Sequence, residues 1–536
     1  MPYTFNTTGP SVPGQHYMLD PLARIDLPEV EYLIAQGKYF VLHAPRQTGK
    51  TTSLIALAKH LNARADYACV FCNVEAAQTA RHDVARGVAS VIASLASAAA
   101  SQLGQAQLTL WRQELAASGE APDKWLQLLL QRWAAVAGKP LVLLFDEIDA
   151  LVGDTLVSVL RQLRGGYTER QMTPFPLSVI LCGVRDVRDY RIHVGSGDII
   201  TGGSCFNIKA ASLRLGNFTQ DESQALWLQH TADTGQVFAA PVFARLWEDT
   251  RGQPWLVNAL ADECTWQDRA ARDRCVTISL ERYCAARERL IQSRATHLDQ
   301  LTDKLREARV RRVMAPLLAG EALPGTIPED DREYCIDLGL VARFDQQLQV
   351  ANPIYREVIP RDLTSVLQDS LQGLAQQAWY LTPEGRLDVP QLLAAFQQFF
   401  REHAESWLER YAYKEAGPQL LMQAFLQRIV NGGGRISREY GLGRRRTDLY
   451  IEWPLNKASG FNGPLQRVVI ELKILRKTWE ATVTDGLAQV ADYADKCAAD
   501  EVHLVVFNRD PNISWNDKTI RQQVAFRDKV IDVWGA

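Results

Sequence analysis

The feature that most constrains this chain of 536 residues is the segment 39–61, which reads YFVLHAPRQTGKTTSLIALAKHL. Its pattern predicts an apolar strand over residues 39–43, a tight loop, and an amphipathic helix. Backbone N–H groups of such a loop, at a helix N-terminus, form a concave anion site, and Gly49 lets the backbone approach a bound group closely. The segment therefore predicts an α/β domain with a phosphate site. The alternative is a plain strand-to-helix turn with an incidental lysine.

The loop resembles the P-loop of nucleotide-binding proteins, with Ala44 in place of the usual first glycine. The resemblance implies that Lys50 reaches the β- and γ-phosphates of ATP and that the Thr51 hydroxyl binds Mg²⁺. The predicted nucleotide contacts in this loop are Ala44, Pro45, Arg46, Gln47, Thr48, Gly49, Lys50, Thr51 and Thr52.

A second apolar run, KPLVLLFDEIDAL at residues 139–151, ends in two acids. It has the form of a Walker B strand, in which Asp146 would hold the Mg²⁺ shell and Glu147 would polarise the attacking water. A third buried strand, LSVILCG, ends at Cys182 and Gly183, and Arg185 just after it is either a sensor of the γ-phosphate or a surface arginine. The two acids, about a hundred residues after the loop, support nucleotide hydrolysis.

The following segment predicts a helical lid, with Thr219 as the N-cap of its first helix and Glu222 at the capping-box position. Within it, residues 252–254 read GQP and resemble the GxP motif of STAND-type and related AAA-like ATPases. The resemblance covers roughly residues 1–290. It implies that the helix bearing Pro254 closes over the nucleotide and that the stretch 9–26, with Tyr17 and Arg24, holds the adenine. The alternative is an ordinary first-turn proline.

The middle of the chain predicts a connector. Residues 305–361 read as helix, short helix and two strands, which is the order of a winged helix. The second helix, PEDDREYCIDLGL, is acidic, so contact with protein or nucleotide-coupled motion is favoured over DNA reading. Residues 364–413 predict a glutamine-rich helical bridge.

The last module carries an acid and a base on one strand, RVVIELKI, where Glu471 and Lys473 share a face. Hydrolysis of a phosphodiester with Mg²⁺ needs hard oxygen ligands and a cation near the phosphate. Asp448 on the preceding strand, Glu471 and the carbonyl of Leu472 are the predicted metal ligands. Lys473 would act on the water and on the developing phosphorane-like charge.

This D…ExK set and the predicted helix–strand–strand–strand–helix–strand order resemble the PD-(D/E)XK nuclease superfamily. Gln489 and Tyr493, one helical turn apart, are similar to the QxxxY motif of its RecB-like branch. Glu439 is an additional candidate acid. The sequence departs from the pattern before Asp448, where Thr447 stands in place of a frequent proline. The alternative is a solvated strand face with alternating charge.

Composition limits the partners. The net charge is −3, so a nucleic-acid site must be a local patch, and basic residues cluster around the predicted nuclease residues. They are Arg435, Arg438, Arg444, Arg445, Arg446, Arg476 and Lys477. A solvated basic face is the alternative. The nine cysteines lack disulfide spacing, and the lone CxxC, Cys69 and Cys72, indicates core packing rather than zinc.

We expect a cytoplasmic protein with no signal peptide and no membrane span, because the uncharged run 87–111 is typical of a packed helix. The predicted α/β multidomain architecture has a P-loop core at 1–215, a lid at 216–300, a winged-helix-like domain at 301–363, a helical connector at 364–413 and a restriction-endonuclease-like domain at 414–536.

Together these features predict an ATP-dependent or ATP-regulated nuclease that uses Mg²⁺, or Mn²⁺ at the nuclease site, and cuts DNA in preference to RNA. By analogy, the arrangement is similar to bacterial ATPase–nuclease proteins of mobile elements and anti-phage defence. A homo-oligomer would form through the ATPase module, with Arg164 and Arg170 as unranked arginine-finger candidates. The alternative is a non-enzymatic switch whose last module binds nucleic acid or a partner without cutting.

Overall fold

The computed structural model describes the chain except for a set of short segments. These are residues 1–2, 186–190, 194–198, 202–205, 294–303, 306, 320–322, 364–378, 412–420, 424, 427–429, 431–433, 443–444, 457–460, 462, 476–477 and 511, together with the side chains at 191–193, 199–201, 292, 319, 359–363, 402–411, 437–442 and 445–448. The chain forms two compact units. Met1–His297 with Pro328–Ile354 is the parallel-sheet unit, and Leu298–Ile327 with Tyr355–Ala536 is the mixed-sheet unit.

The strands of the parallel-sheet unit are β1 (Tyr39–His43), β2 (Ala68–Asn73), β3 (Leu141–Asp146), β4 (Ser178–Gly183), β5 (Arg191–His193), β6 (Ile199–Thr201), β7 (Lys209–Arg214), β8 (Val341–Phe344) and β9 (Gln347–Val350). Five of them form one sheet in the order β2-β3-β4-β1-β7, and every neighbouring pair is parallel. The strand predicted before the loop and the strand predicted before the two acids are thereby confirmed as β1 and β3. Two small hairpins, β5-β6 and β8-β9, stand apart from it.

The helices, in chain order, are α1 (Leu27–Ala35), α2 (Lys50–Ala63), α3 (Val84–Leu103), α4 (Gln107–Ala117), α5 (Pro122–Val136), α6 (Gly153–Glu169), α7 (Gln220–Thr234), α8 (Ala240–Thr250), α9 (Pro254–Asp262), α10 (Leu280–Gln292), α11 (Ala308–Ala319), α12 (Glu329–Asp337), α13 (Pro353–Leu363), α14 (Val389–Tyr411), α15 (Trp479–Cys497) and α16 (Trp515–Lys518). Short helical turns occupy Glu75–Ala80, Ile148–Ala150, Glu263–Gln267 and Arg269–Arg272.

The parallel sheet is buried on both faces, which explains why β3 and β4 read as continuous apolar runs. One face packs a core that includes residues of α3, α5 and α6, and the other packs residues of α1 and α2. Cys69 and Cys72 lie on β2 with their side chains in these two cores, as predicted for core packing. The sheet therefore holds the loop between β1 and α2 on a rigid support.

Helix α3 is, within the described residues, the one helix long and apolar enough to cross a membrane. Its apolar face is packed in the sheet core, where Val88, Val91 and Leu95 are fully buried. The helix also contacts β2, α4, α5 and α6. These contacts are those of a core helix, as the sequence predicted for this segment.

The segment predicted as a lid is helical. Helix α7 begins with the predicted capping box, because Thr219 Oγ1 accepts from the Glu222 N–H at 3.1 Å and the Glu222 carboxylate accepts from the Thr219 N–H at 2.7 Å. Helix α9 begins at Pro254, and the Gln253 side chain caps it by accepting from the Leu256 N–H at 2.6 Å.

The strands of the mixed-sheet unit are β10 (Arg435–Leu442), β11 (Arg445–Pro454), β12 (Leu465–Ile474), β13 (Glu501–Phe507), β14 (Arg521–Phe526) and β15 (Lys529–Gly535), in the order β10-β11-β12-β13-β15-β14. The first three are antiparallel, whereas β12, β13 and β15 run parallel. Helix α15 joins β12 to β13 and packs on both strands. The predicted order of three strands, helix and strand is present, and β14 and β15 extend it, whereas the helix predicted before these strands lies partly outside the described residues.

The predicted connector contributes to both units. Helix α11 belongs to the mixed-sheet unit, whereas α12 and the β8-β9 hairpin belong to the parallel-sheet unit. Each predicted element is present, and the compact units divide them between 327 and 328. The predicted bridge at 364–413 lies partly outside the described residues.

Gly252 tests how tightly the start of the α9 region is packed. Its φ is +70°, and an added Cβ would lie 1.9 Å from the Phe218 carbonyl oxygen. We expect Gly252→Ala to lower the unfolding temperature of the parallel-sheet unit for two reasons. The new Cβ would overlap the Phe218 carbonyl oxygen, and a non-glycine residue in the left-handed region carries a backbone strain of about 1–3 kcal/mol. Thermal unfolding followed by circular dichroism measures this.

Gly235→Ala is the matched control, because Gly235 has a φ of +77° and no atom within 4 Å of an added Cβ. It should cost only the left-handed strain, about 1–2 kcal/mol. Equal losses in the two variants would show that the close approach to Phe218 does not constrain this region.

Candidate functional site

The loop between β1 and α2 is built around Gly49. This residue precedes the first turn of α2 with a φ of 92°, in the left-handed region that favours glycine. An added Cβ would lie 2.8 Å from Arg24 Nη1. The loop therefore requires glycine both for its backbone conformation and for the approach of Arg24.

Lys50 is held against the loop. Its Nζ donates to the carbonyl oxygens of Ala44 and Pro45, at 2.9 Å each. Thr48 Oγ1 also donates to the Pro45 carbonyl, at 2.8 Å. These bonds fix the loop and keep a buried ammonium group at the helix N-terminus, where both the lysine and the helix dipole favour a phosphate.

Thr51 and Asp146 meet as the sequence predicted. Thr51 Oγ1 donates to Asp146 Oδ2 at 2.6 Å, which joins the first turn of α2 to the end of β3. Asp146 is fully buried, and its other carboxylate oxygen accepts from the Glu147 N–H at 3.0 Å. A hydroxyl and a carboxylate at this spacing form a hard oxygen pair, which fits Mg²⁺.

Glu147 follows at the strand end in a left-handed conformation, with a φ of 56°. Non-glycine residues in this region are strained and tend to occur at functional sites. Burial raises the pKa of the Glu147 carboxyl, and the neighbouring Lys50 charge opposes that rise. The residue is half-buried and lies near Lys50, as a residue that positions water beside a phosphate would be.

Asp149 is a neighbour that sequence reasoning missed, although it belongs to the same acidic run. Its carboxylate accepts a short hydrogen bond from the Val184 N–H, just after β4. An added Cβ at Gly183 would lie 2.8 Å from Asp149 Oδ2. Burial raises the pKa of the Asp149 carboxyl. The interaction ties the acidic strand end of β3 to the end of β4.

Helix α12 packs on the P-loop end of the sheet, an arrangement that the sequence did not reveal. An added Cβ at Gly339 would lie 2.7 Å from Pro45 Cβ, and Asp337 Oδ1 lies 3.6 Å from His43 Nδ1. The Ile336 carbonyl accepts from Arg214 at 3.0 Å. These contacts lie within the parallel-sheet unit and place the acidic helix next to the loop, and its predicted role in protein contact or nucleotide-coupled motion stays a prediction.

Two of the three arginines predicted as a sensor or as fingers stack on aromatic rings. Arg185 lies 5.1 Å from the ring centroid of Tyr334 on α12, so its guanidinium stacks on an aromatic ring. Arg170 donates to the Gly37 carbonyl at 2.6 Å and stacks on Tyr167. Arg170 is thus engaged within its own unit. Sensor and finger roles for Arg185, Arg164 and Arg170 remain predictions.

The segment before the loop contributes Tyr17 and Arg24 to the lining of a cavity next to the loop. Arg24 donates to the carbonyls of Thr48 and Gly216, and its guanidinium lies 4.6 Å from the Phe218 ring centroid. Burial lowers the pKa of Arg24 to about 10, so the side chain stays charged at neutral pH. Tyr17 instead donates to Asp233 on α7 at 2.7 Å.

The mixed-sheet unit brings together three of the predicted nuclease residues. Lys473 Nζ donates to Glu471 Oε1 at 2.7 Å and to Gln489 Oε1 at 2.5 Å. Glu471 is 3% exposed on β12, and Gln489 lies on α15. The expected common face of Glu471 and Lys473 is confirmed, and the helix that packs on that face supplies the glutamine.

The remaining predicted nuclease residues are placed less completely. Tyr493 is buried in the apolar core between α15 and the sheet. Leu472 is buried on β12 between the two charged residues. Asp448 lies on β11, next to Leu449, which pairs with Ile470, but its side chain lies outside the described residues. The backbone register thus brings positions 448 and 471 to neighbouring places on adjacent strands.

Glu439 and most of the predicted basic cluster have side chains outside the described residues, and Arg444, Arg476 and Lys477 lie outside them altogether. Arg435 is described, and its guanidinium lies 3.6 Å from the Phe461 ring centroid. The described residues contain no group of three or more His, Cys, Asp or Glu that could hold a metal. Of the three predicted metal ligands, the structure describes the side chain of Glu471 and the carbonyl of Leu472, whereas the Asp448 carboxylate lies outside the described residues.

No protein-family model matches the chain, and no curated protein matches it. Among solved structures, it is similar to a Walker-type ATPase of Pyrococcus abyssi, at 15% identity and a TM-score of 0.45, over 66% of this chain and 99% of that one. It is also similar to Cdc6p of Pyrobaculum aerophilum, at 15% identity and a TM-score of 0.34, over 66% of this chain and 94% of that one.

A third similar structure is RuvB of Thermotoga maritima, a Holliday junction branch migration motor, at 13% identity and a TM-score of 0.32, over 62% of this chain and 95% of that one. Because these identities and TM-scores are low, they do not assign a function. The class of the domain follows from the strand order of its sheet and from the geometry of the loop between β1 and α2. Those features make the parallel-sheet unit a P-loop NTPase-like α/β domain, and the mixed sheet belongs to a separate domain of the chain.

Lys50→Ala tests the phosphate site. We expect the variant to lose measurable ATP·Mg²⁺ binding, or to bind at least roughly 10- to 100-fold more weakly, because a charged hydrogen-bond donor is removed. Isothermal titration calorimetry measures the affinity. Lys59→Ala, an exposed lysine on the same helix, is the control and should bind as the parent does. Unchanged ATP affinity in Lys50→Ala would rule out the assignment.

Proposed function

We propose that the parallel-sheet unit binds ATP with Mg²⁺ and hydrolyses it. The observation that carries this proposal is the 2.6 Å hydrogen bond between Thr51 and Asp146 beside the buried Lys50. Lys50 and the loop N–H groups would hold the phosphates, whereas Thr51 and Asp146 would hold the metal. A bound Mg²⁺ would neutralise charge on the phosphates. Glu147 would orient the attacking water.

We further propose that the mixed-sheet unit is a metal-dependent nuclease of the PD-(D/E)XK type. The pairing of Lys473 with both Glu471 and Gln489 supports this proposal, because it presents an ammonium group next to a buried carboxylate. Asp448, Glu471 and the Leu472 carbonyl would hold the metal, which would act as a Lewis acid on the scissile phosphate. Lys473 would stabilise developing charge there, and Gln489 would keep its side chain oriented.

The substrate that fits this chemistry is a nucleic acid, with DNA preferred. The arginines near Asp448 in the sequence support that choice, because they can neutralise a phosphate backbone in a protein of net charge −3. ATP binding or hydrolysis in the first unit would regulate cutting in the second. Assembly of several chains through the ATPase unit remains part of this proposal.

The other function is a nucleotide switch whose mixed-sheet unit grips nucleic acid without cutting. One observation favours it: the ion pair of Lys473 with Glu471 is what a purely structural pair would also form. Under that alternative, removing Lys473 would leave a buried carboxylate without its charged partner and destabilise the fold by roughly 3–5 kcal/mol. The two functions therefore predict different behaviour for one substitution.

Glu147→Gln separates hydrolysis from binding. We expect the variant to keep its ATP affinity and to release phosphate roughly 10²- to 10⁴-fold more slowly, because it retains the side-chain shape but loses the base. Calorimetry and a steady-state phosphate assay measure the two properties. If phosphate release matched the parent rate, a different residue would have to position the water.

Lys473→Ala separates chemistry from folding. We expect the variant to keep its melting temperature and its nucleic-acid affinity and to lose Mg²⁺-dependent cleavage. Lys529→Ala is the control, because Lys529 is paired with Asp495 at 2.8 Å in the same unit and is not among the proposed nuclease residues. That control should cleave as the parent does. A Lys473→Ala variant that cuts normally, or that unfolds, would contradict the catalytic role of this lysine.

A further inference from the structure

A cavity in the parallel-sheet unit extends from the P-loop to helix α9. Gln47, Gly49 and Thr52 of the loop and first turn of α2 line it, together with Met18, Leu19 and, on α9, Asn258. Because a nucleotide bound through its phosphates at the loop must direct its base away from them, this cavity is where the base would lie. Its apolar residues fit the faces of a purine.

Most polar side chains that line this cavity already have partners within the protein. Ser53 Oγ donates to the Pro21 carbonyl at 3.2 Å, and Thr52 Oγ1 accepts from the Ser11 N–H at 3.1 Å. Trp255 Nε1 donates to the Thr7 carbonyl at 2.9 Å. These groups form part of the cavity wall, and they already make hydrogen bonds to other parts of the protein.

The backbone of Met18, which lines the cavity, is also hydrogen-bonded within the protein. The Met18 N–H donates to Gln229 Oε1 at 3.1 Å, and Gln229 Nε2 donates to the Met18 carbonyl at 3.0 Å. A single glutamine on α7 thus satisfies both polar groups of this residue. The peptide groups of Met18 are therefore not available to bind the edge of a base, and another group in the cavity wall must do so.

Asn258 differs from these residues. Its Nδ2 donates to the Pro254 carbonyl at 2.9 Å, one turn earlier on α9, whereas its Oδ1 is buried with no hydrogen-bond partner among the described residues. The amide cannot be flipped without placing its oxygen against the Pro254 oxygen, so the orientation is fixed. A buried acceptor without a partner is costly, and native structures rarely leave one unexplained.

We propose that Asn258 Oδ1 selects the base by accepting a hydrogen bond from the exocyclic amino group of adenine. This inference rests on the proposed ATP binding and adds its specificity. Because Asn258 lines this cavity and its Oδ1 has no partner among the described residues, the donor would be supplied by the group bound in the cavity. A purine that lacks the amino group leaves this oxygen without a partner, and a 6-oxo purine sets an acceptor against it.

The direct test compares ATP with purine riboside triphosphate, which lacks only the 6-amino group, on the unmodified chain by calorimetry with Mg²⁺. We expect ATP to bind roughly 3- to 10-fold more tightly, the range for one neutral hydrogen bond. Inosine triphosphate, with its 6-oxo group, should bind no better than the purine analogue. Equal affinities for ATP and purine riboside triphosphate would overturn the inference and leave ATP binding itself intact.

Asn258→Ala should bind ATP and purine riboside triphosphate equally, whereas Ser53→Ala, a change in the same wall, should keep the parent's preference for ATP. Because the analogue comparison on the unmodified chain needs no variant, a poorly folding Asn258→Ala does not remove the test. A preference for ATP that survives Asn258→Ala would assign the selection to another group. If neither triphosphate bound the unmodified chain, the proposed function would fail together with the inference.

Discussion

The hydrogen bond from Thr51 to Asp146 is the interaction on which the parallel-sheet unit's site depends. It joins the first turn of α2 to the end of β3, although β4 lies between β1 and β3 in the sheet. The bond can form because the strands run parallel, so their carboxyl ends share one edge. Asp146 is fully buried, and a carboxylate there is stable only with partners. The same requirement makes the pair suited to a divalent cation.

The mixed-sheet unit also contains a buried carboxylate with polar neighbours. Glu471 is buried on β12, and the Lys473 ammonium group on the same face lies 2.7 Å from its carboxylate. Gln489 reaches that ammonium group from α15, the helix that must cross from β12 to the parallel β13. The chain connection therefore helps to build the site, because the crossover helix α15 packs on the face of β12 that carries Glu471 and Lys473. A carboxylate and an ammonium group kept together in this way can serve metal-assisted phosphate chemistry.

The sequence predicted those parts of both sites in which the residues lie close together along the chain. Gly49, Lys50 and Thr51 follow from strand–loop–helix periodicity, and the common face of Glu471 and Lys473 follows from the two-residue repeat of a strand. The contacts of Arg24 with Gly216, of α12 with the loop, and of Asp149 with Val184 join distant segments, so no local pattern revealed them. Asn258 was missed although it lies one turn after Pro254, because an asparagine in a helix has no distinctive spacing.

The central claim is that one chain couples a nucleotide site to metal-dependent cutting of nucleic acid. The most direct measurement incubates the full chain with Mg²⁺ and plasmid DNA, linear DNA, single-stranded DNA or RNA, with and without ATP, and follows the products on gels. The account predicts cleavage of at least one substrate, abolished by chelation of the metal and changed in rate by ATP. Intact substrates under every condition, from a protein that binds ATP, would contradict it.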